Sequence, residues 1–197
     1  MRIAQNDPRL AHAVVRTAAR QQVEALSRFR ISICNVRTAA DYVARVAGHF
    51  RWRLLCLKLS GKQTSRSRGR VEAIVADPDH EGNYQLFAIG FDAGLPRGRT
   101  WVRGIKVELT GHCIARIIQR STGEADVGWA LQHIRDHLLT GIHGNFDNPV
   151  GTVIKATDPT GQLILVVDEE GWLIAKTWID DRTAPAMTVS ITQGEVA

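Results

Sequence analysis

VGTVIKATDPTGQLILVVDEEGWLIAKTWI, residues 150–179, is the stretch on which the fold turns. It holds three runs rich in β-branched and aliphatic residues: VGTVIKAT, QLILVVD and WLIAKTWI. DPTG and EEG separate them, and Asp, Pro and Gly are the residues that tight turns need. Three such runs joined by short turns predict an antiparallel meander. Downstream, MTVSI (187–191) reads as a further short strand.

Working upstream, the period changes. Residues 125–139 (ADVGWALQHIRDHLL) predict a helix with Val127, Leu131, Ile134 and Leu138 as its apolar stripe. Before it, Thr110 caps a helix over 111–121, GHCIARIIQRS, which buries Ile114, Ile117 and Ile118 and is broken by Gly123. Residues 51–59 include a strand-like alternation and, with 71–76 and 84–91, read as antiparallel strands; 101–109 reads as a further strand with Gly104 as a bulge candidate. Helices are expected over 8–27, with Asp7 as cap and Pro8 in the first turn, and over 38–48, with Thr38 as cap and Gly48 as stop. RISICNV between them reads as an extended connection. Leu10, Val14, Ala18, Gln21 and Ala25 mark the docked face of the first helix. Helices, strands, two helices, strands in that order predict an α+β fold. The loop at 92–100 is the best candidate for a boundary, dividing a basic region 1–100 from an α+β domain 101–197.

The chain has 197 residues, enough to bury a core without disulfide staples. Its net charge of +5 hides an asymmetry. Residues 1–70 carry 15 Lys and Arg against 3 Asp and Glu, while residues 71–197 carry 10 against 17. Twenty of the 25 basic residues are Arg, the side chain best suited to bidentate phosphate contact and to stacking. A basic half of this kind suits a polyanion such as nucleic acid, or else docks on the acidic half of the same chain. No apolar run reaches bilayer length, which excludes a helical membrane span. Cys34, Cys56 and Cys113 make neither a disulfide framework nor a metal clamp. Without a visible secretory signal, a reducing, cytoplasmic compartment is expected.

The segment TGHCIARIIQR (110–120) carries the chemistry. His112, Arg116 and Arg120 stand at i, i+4 and i+8, a cationic strip on one side of a helix whose other side is apolar. His exchanges protons near neutral pH, and Arg binds phosphate and stabilises developing charge. The same spacing also suits a plain solvated face. In the last strand, Lys176 and Thr177 interrupt an apolar run. Strict alternation places Lys176 with Ile174 and Trp178, so the Lys meets either an anion or water at a sheet edge. Trp178 is then a candidate for stacking on a base.

A G-H-x-x-x-R-x-x-x-R helix, a second helix and a meander ending in a K-T strand resemble the RelE-type part of the barnase/EndoU/colicin/RelE superfamily. The resemblance spans about residues 105–185. It implies a small ribonuclease toxin that cleaves RNA without metal or cofactor, by attack of a ribose 2′-hydroxyl on the adjacent phosphate. It implies His112 as acid/base, Arg116 and Arg120 as phosphate ligands, and Lys176 and Thr177 as site residues on the strand. It also implies an acidic antitoxin or immunity protein as partner. Two departures stand out: Cys113 takes the place of a common Ala, and Trp178 and Asp180 stand where many members carry Tyr or Arg.

His133 and His137 share a helical face, with His143 beyond, a spacing that chelates zinc, but the Glu of HExxH is absent and no metal is expected. Arg66, Arg68 and Arg70 alternate with small residues in a basic loop able to follow a phosphate backbone. A non-enzymatic nucleic-acid-binding or regulatory protein is the alternative reading.

Overall fold

The computed structural model describes residues 7–23, 25–32, 36–60, 69–93, 99–121, 125–143, 147–180 and 188–193. In chain order the elements are α1 (Pro8–Arg20), α2 (Ala25–Ser32), α3 (Ala39–Phe50), a 3₁₀ turn (Arg51–Arg53), β1 (Leu54–Ser60), β2 (Arg70–Pro78), β3 (Tyr84–Asp92) and β4 (Arg99–Leu109). Then come α4 (Gly111–Arg120), α5 (Val127–His133), α6 (Arg135–Ile142), β5 (Val153–Asp158), β6 (Gly161–Val167), β7 (Leu173–Ile179) and β8 (Thr188–Thr192). The fold is α+β, with an eight-stranded mixed sheet ordered β1-β2-β3-β4-β7-β6-β5-β8. β1 pairs antiparallel with β2, and β5 does so with both β6 and β8. β6 and β7 are antiparallel as well, whereas β4 and β7 run parallel. Among the described residues, no helix is long and apolar enough to cross a membrane.

The chain forms two compact units, each discontinuous in sequence. Unit 1 comprises 1–21, 78–85 and 106–197; unit 2 comprises 22–77 and 86–105.

In unit 1, α1 packs on α4, α4 on β7 and α5, and α6 on β5 and β6. Asp7 caps α1 by accepting from the Arg9 N–H, with Pro8 in the first turn. α1 buries Ala11, Val15 and Ala19, so the buried line is rotated one residue from the Leu10–Val14–Ala18 line, which lies half-buried beside it. α4 buries Cys113, Ile114, Ala115, Ile117 and Ile118, as its apolar face requires. The helix expected over 125–139 is two, α5 and α6, parted at Ile134, whose ψ of 0° breaks the α geometry while its side chain stays buried. The meander forms as its sequence predicts. Asp158 Oδ1 accepts from the Thr160 N–H in the first turn, and Asp168 Oδ1 accepts from the Glu170 and Trp172 N–H groups in the second. β8 adds to β5 at the position of MTVSI.

In unit 2, α2 and α3 bring Leu26, Phe29, Tyr42, Val46 and Phe50 against Val71, Ala73, Val75, Ile89 and Phe91 of the sheet. Tyr42 stacks on Phe91 at 5.4 Å between ring centroids. The first helix was expected to run to residue 27 and RISICNV to be extended. Instead α1 ends at Arg20, and α2 takes up Arg30, Ile31 and Ser32. Burial of Phe29 and Leu26 outweighs the extended preference of the β-branched Ile31. Thr38 caps α3 as expected, but the helix passes Gly48 and ends at Phe50, where Arg51 turns the chain with φ of 48°.

Candidate functional site

The placement of His112 begins with two short-range devices in unit 1. Asp79 Oδ1 accepts from the Glu81, Gly82 and Asn83 N–H groups and closes the 79–83 turn. Asn83 Oδ1 then accepts from the Gly111 N–H, while Thr110 Oγ1 accepts from the Cys113 N–H. Two of the orphan donors at the start of α4 are thereby satisfied. The Thr110 hydroxyl in turn donates to the Ala175 carbonyl of β7.

α1 lies against this helix and contributes a residue that sequence reading passed over. His12 stands 5.6 Å from His112 between ring centroids, the planes tilted by 32°. His12 and Arg16 are spaced as His112 and Arg116 are, so two H-x-x-x-R segments face each other across the helix pair. The pKa of His12 lies below its ordinary 6.5, first because burial disfavours the imidazolium and then because His112, Arg16 and Arg116 add positive charge around it. His112 is exposed, and Arg116 is half-buried with a long contact of 3.4 Å to Gln119 Oε1. The group joins an imidazole whose charged form is disfavoured, a second imidazole and two guanidinium groups.

Arg120 does not join them. An eight-residue step turns about 80° around a helix. The guanidinium accordingly leaves the His112 side and donates to the Trp178 carbonyl at 2.6 Å. There it lines a cleft of about 290 Å³ with Ile117, Trp129, His133, Thr160 and Asp180. His133 stacks on Trp129 at 4.6 Å and meets the Trp178 edge at 5.2 Å. Its pKa is lowered by burial and by His137, against the opposing pull of Asp158 and Asp180.

β7 contains a bulge, and this alters the expected alternation. Thr177 pairs with Ile164 and Ala175 with Leu165, which leaves Lys176 as the extra residue. Lys176 is therefore exposed while Trp178 is 2% exposed. The positive charge of Lys176 acts on Glu108, whose carboxyl is raised by burial and by Asp79 and Asp168, and lowered by Lys176. Thr177 lies on the opposite side of the sheet from Trp178, which faces α5 and α6. Trp178 is packed against the His133 and His137 rings and over Gly161, where an added Cβ would fall 2.2 Å from the indole.

Of the histidines of the zinc-like spacing, His133 and His137 have other partners. His137 is 1% exposed, and its Nε2 lies 2.9 Å from Asp158 Oδ1. His143 is exposed just past α6. Among the described residues, no group of three or more His, Cys, Asp or Glu side chains could hold a metal ion. Burial pushes the Cys113 thiol up to about 12, so it is not a nucleophile at neutral pH. Arg70 opens β2, while Arg66, Arg68, Cys34, Gly123 and the 94–98 part of the proposed boundary loop lie outside the described residues.

The Asp158 carboxyl would be raised by burial. The Thr160 hydroxyl and N–H and the His137 side chain more than offset this, so its pKa lies below the ordinary 3.8. A depressed pKa stabilises the fold above the unfolded value, and that contribution is lost as pH falls through the folded value. Asp158→Asn should lower the unfolding midpoint at pH 7, with a gap to wild type that narrows steadily towards pH 2. A gap independent of pH would contradict this ionic role.

No family model matches the chain, and neither a curated protein nor a solved structure matches it.

Proposed function

We propose that unit 1 is a metal-independent ribonuclease, cleaving RNA at a centre formed by His12, His112, Arg16 and Arg116. The observation that supports this reading is the pair of histidine rings 5.6 Å apart, with the charges of Arg16 and Arg116 acting on His12. Transesterification of RNA needs a base for the 2′-hydroxyl, an acid for the departing 5′-oxygen and positive charge for the phosphorane between them. Neutral His12 accepts the 2′-hydroxyl proton as the 2′-oxygen forms its bond to phosphorus. His112 gives a proton to the 5′-oxygen as the P–O5′ bond breaks, and the guanidinium groups of Arg16 and Arg116 hold the non-bridging oxygens. The products are a 2′,3′-cyclic phosphate and a 5′-hydroxyl end. RNA of the cytoplasm is the substrate in this reading, and the RelE-type resemblance adds an acidic inhibitor protein as partner. This reading assigns no step to Lys176 or Thr177.

The test uses an RNA oligonucleotide and its counterpart with 2′-deoxy sugars throughout, both in EDTA. Cleavage of the RNA to cyclic-phosphate ends, with the deoxy strand intact, is expected. No cleavage of RNA, or equal cleavage of both strands, would overturn the proposal.

A further inference from the structure

The sheet of unit 2 has one face covered by α2 and α3. The alternate side chains of its strands turn to the other face, where Ala76, Leu86 and Ala88 are buried while side chains of β1, of the start of β2 and of β4 are exposed. Cross-strand partners share a face, so Lys58 opposite Glu72 and Ser60 opposite Arg70 lie on it, and β4 adds Arg99, Trp101 and Arg103 by alternation. Lys58, Arg70, Arg99 and Arg103 are exposed, and Trp101 is half-exposed.

Trp101 is placed in a way that ordinary packing does not require. Its indole lies across Gly90 of β3, where a Cβ would stand 2.2 Å from two ring carbons and 2.5 Å from the ring nitrogen. Beyond Gly90 it reaches Arg70 of β2, whose Cζ is 5.8 Å from the ring centroid. A strand that carries glycine under an indole holds that ring against the sheet, at some cost in strand propensity. The charges nearby are mostly positive: Lys58, Arg70, Arg99 and Arg103 against Glu72 and Asp92.

We propose that the exposed part of this face, around Trp101, binds single-stranded nucleic acid, with Trp101 stacking on an unpaired base and Arg70, Arg103 and Lys58 holding the backbone. A fixed indole amid cations meets both needs of a single strand, a π-face for the base and positive charge for the phosphates. A duplex turns its base faces inward and offers this ring nothing, and a purely anionic polymer uses the cations without the ring. This site belongs to unit 2 and shares no residue with the His12–His112 centre; resting on the ribonuclease reading, it serves to hold unpaired substrate.

A fluorescently labelled 12-nucleotide oligodeoxythymidylate reads binding alone, because it lacks the 2′-hydroxyl that cleavage needs. Titrated with the full chain, Trp101→Ala should raise Kd roughly 5- to 100-fold, and Trp101→Phe should restore most of the affinity. Arg70→Gln should reduce the slope of log K against log salt by about 1. Heparin should bind wild type and Trp101→Ala alike, and a duplex of the same length should bind more weakly than the strand. Thermal melts of each variant confirm that it is folded. Folded Trp101→Ala with unchanged Kd, or a duplex bound as tightly as the strand, would overturn the site whatever becomes of cleavage. Trp101-dependent binding by a chain that cleaves no RNA would uphold it and remove the proposed ribonuclease alone.

Discussion

His12→Ala should slow RNA cleavage by about 10²- to 10⁴-fold, the range expected for loss of a general base. His112→Ala should do the same, and the double variant should fall little further than either, since residues that act as a unit do not add. His12 gives the sharper test because its environment makes a second statement. A general base must be unprotonated, so the rate rises with pH through the pKa of that base. The pKa of His12 lies below 6.5 through burial and through the charges of His112, Arg16 and Arg116. The acid limb of kcat/KM should therefore lie below pH 6.5, and Arg116→Gln should move it towards higher pH. Arg16→Gln should act in the same direction. A full rate in His12→Ala would remove the base from the proposed mechanism. A limb unmoved by both arginine variants would show that it belongs to another group.

The largest stability effect is expected in unit 2. Arg53 is 5% exposed and donates to Asp77 Oδ1 at 3.1 Å, with its guanidinium 5.2 Å from the Phe50 ring. Burial raises the Asp77 carboxyl pKa, and Arg53, the Leu26 N–H and His49 offset only part of the increase. Burial thus weighs more on the Asp77 charge than its partners repay. Two results follow. Asp77→Ala, which leaves Arg53 without this carboxylate, should destabilise by about 3–5 kcal/mol, a fall in Tm of roughly 6–20 °C. Arg53→Met with Asp77→Leu should instead fall within about 1 kcal/mol of wild type, or above it. The native state holds the Asp77 proton more tightly than the unfolded chain, so this residue's contribution declines as pH rises from 3.8 through the folded value. The double variant should lose that slope. A single variant as stable as wild type in urea would refute the account.

Local chemistry made much of the fold legible. Thr110 and the Ile114, Ile117, Ile118 spacing announced α4, and alternation bounded by DPTG and EEG announced β5, β6 and β7. What escaped was set by tertiary contacts. No Gly or Pro marks the end of α1, and Ile134 parts α5 from α6 inside an unbroken apolar stripe. The bulge at Lys176 follows from how β7 meets β6, and no feature of KTW signals it. The parallel pairing of β4 with β7 has no local signature at all. At the candidate site, His112 and Arg116 were found from their helical spacing. His12 was missed although HAVVR repeats the spacing of HCIAR, because a partner on a distant helix is visible only once α1 and α4 are docked.

The tie between Thr110 and Ala175 spans 65 residues. It also bears on when the site takes shape. Contacts so far apart in sequence must await closure of the whole intervening loop, which makes them slow to form. α4 coils locally in far less time, but its capping hydroxyl gains its β7 partner only when the meander has assembled. A nascent chain that has yet to release residue 175 therefore carries the His112 helix without its anchor. The proposed centre is therefore expected to mature late in folding, after the helices that bear its side chains.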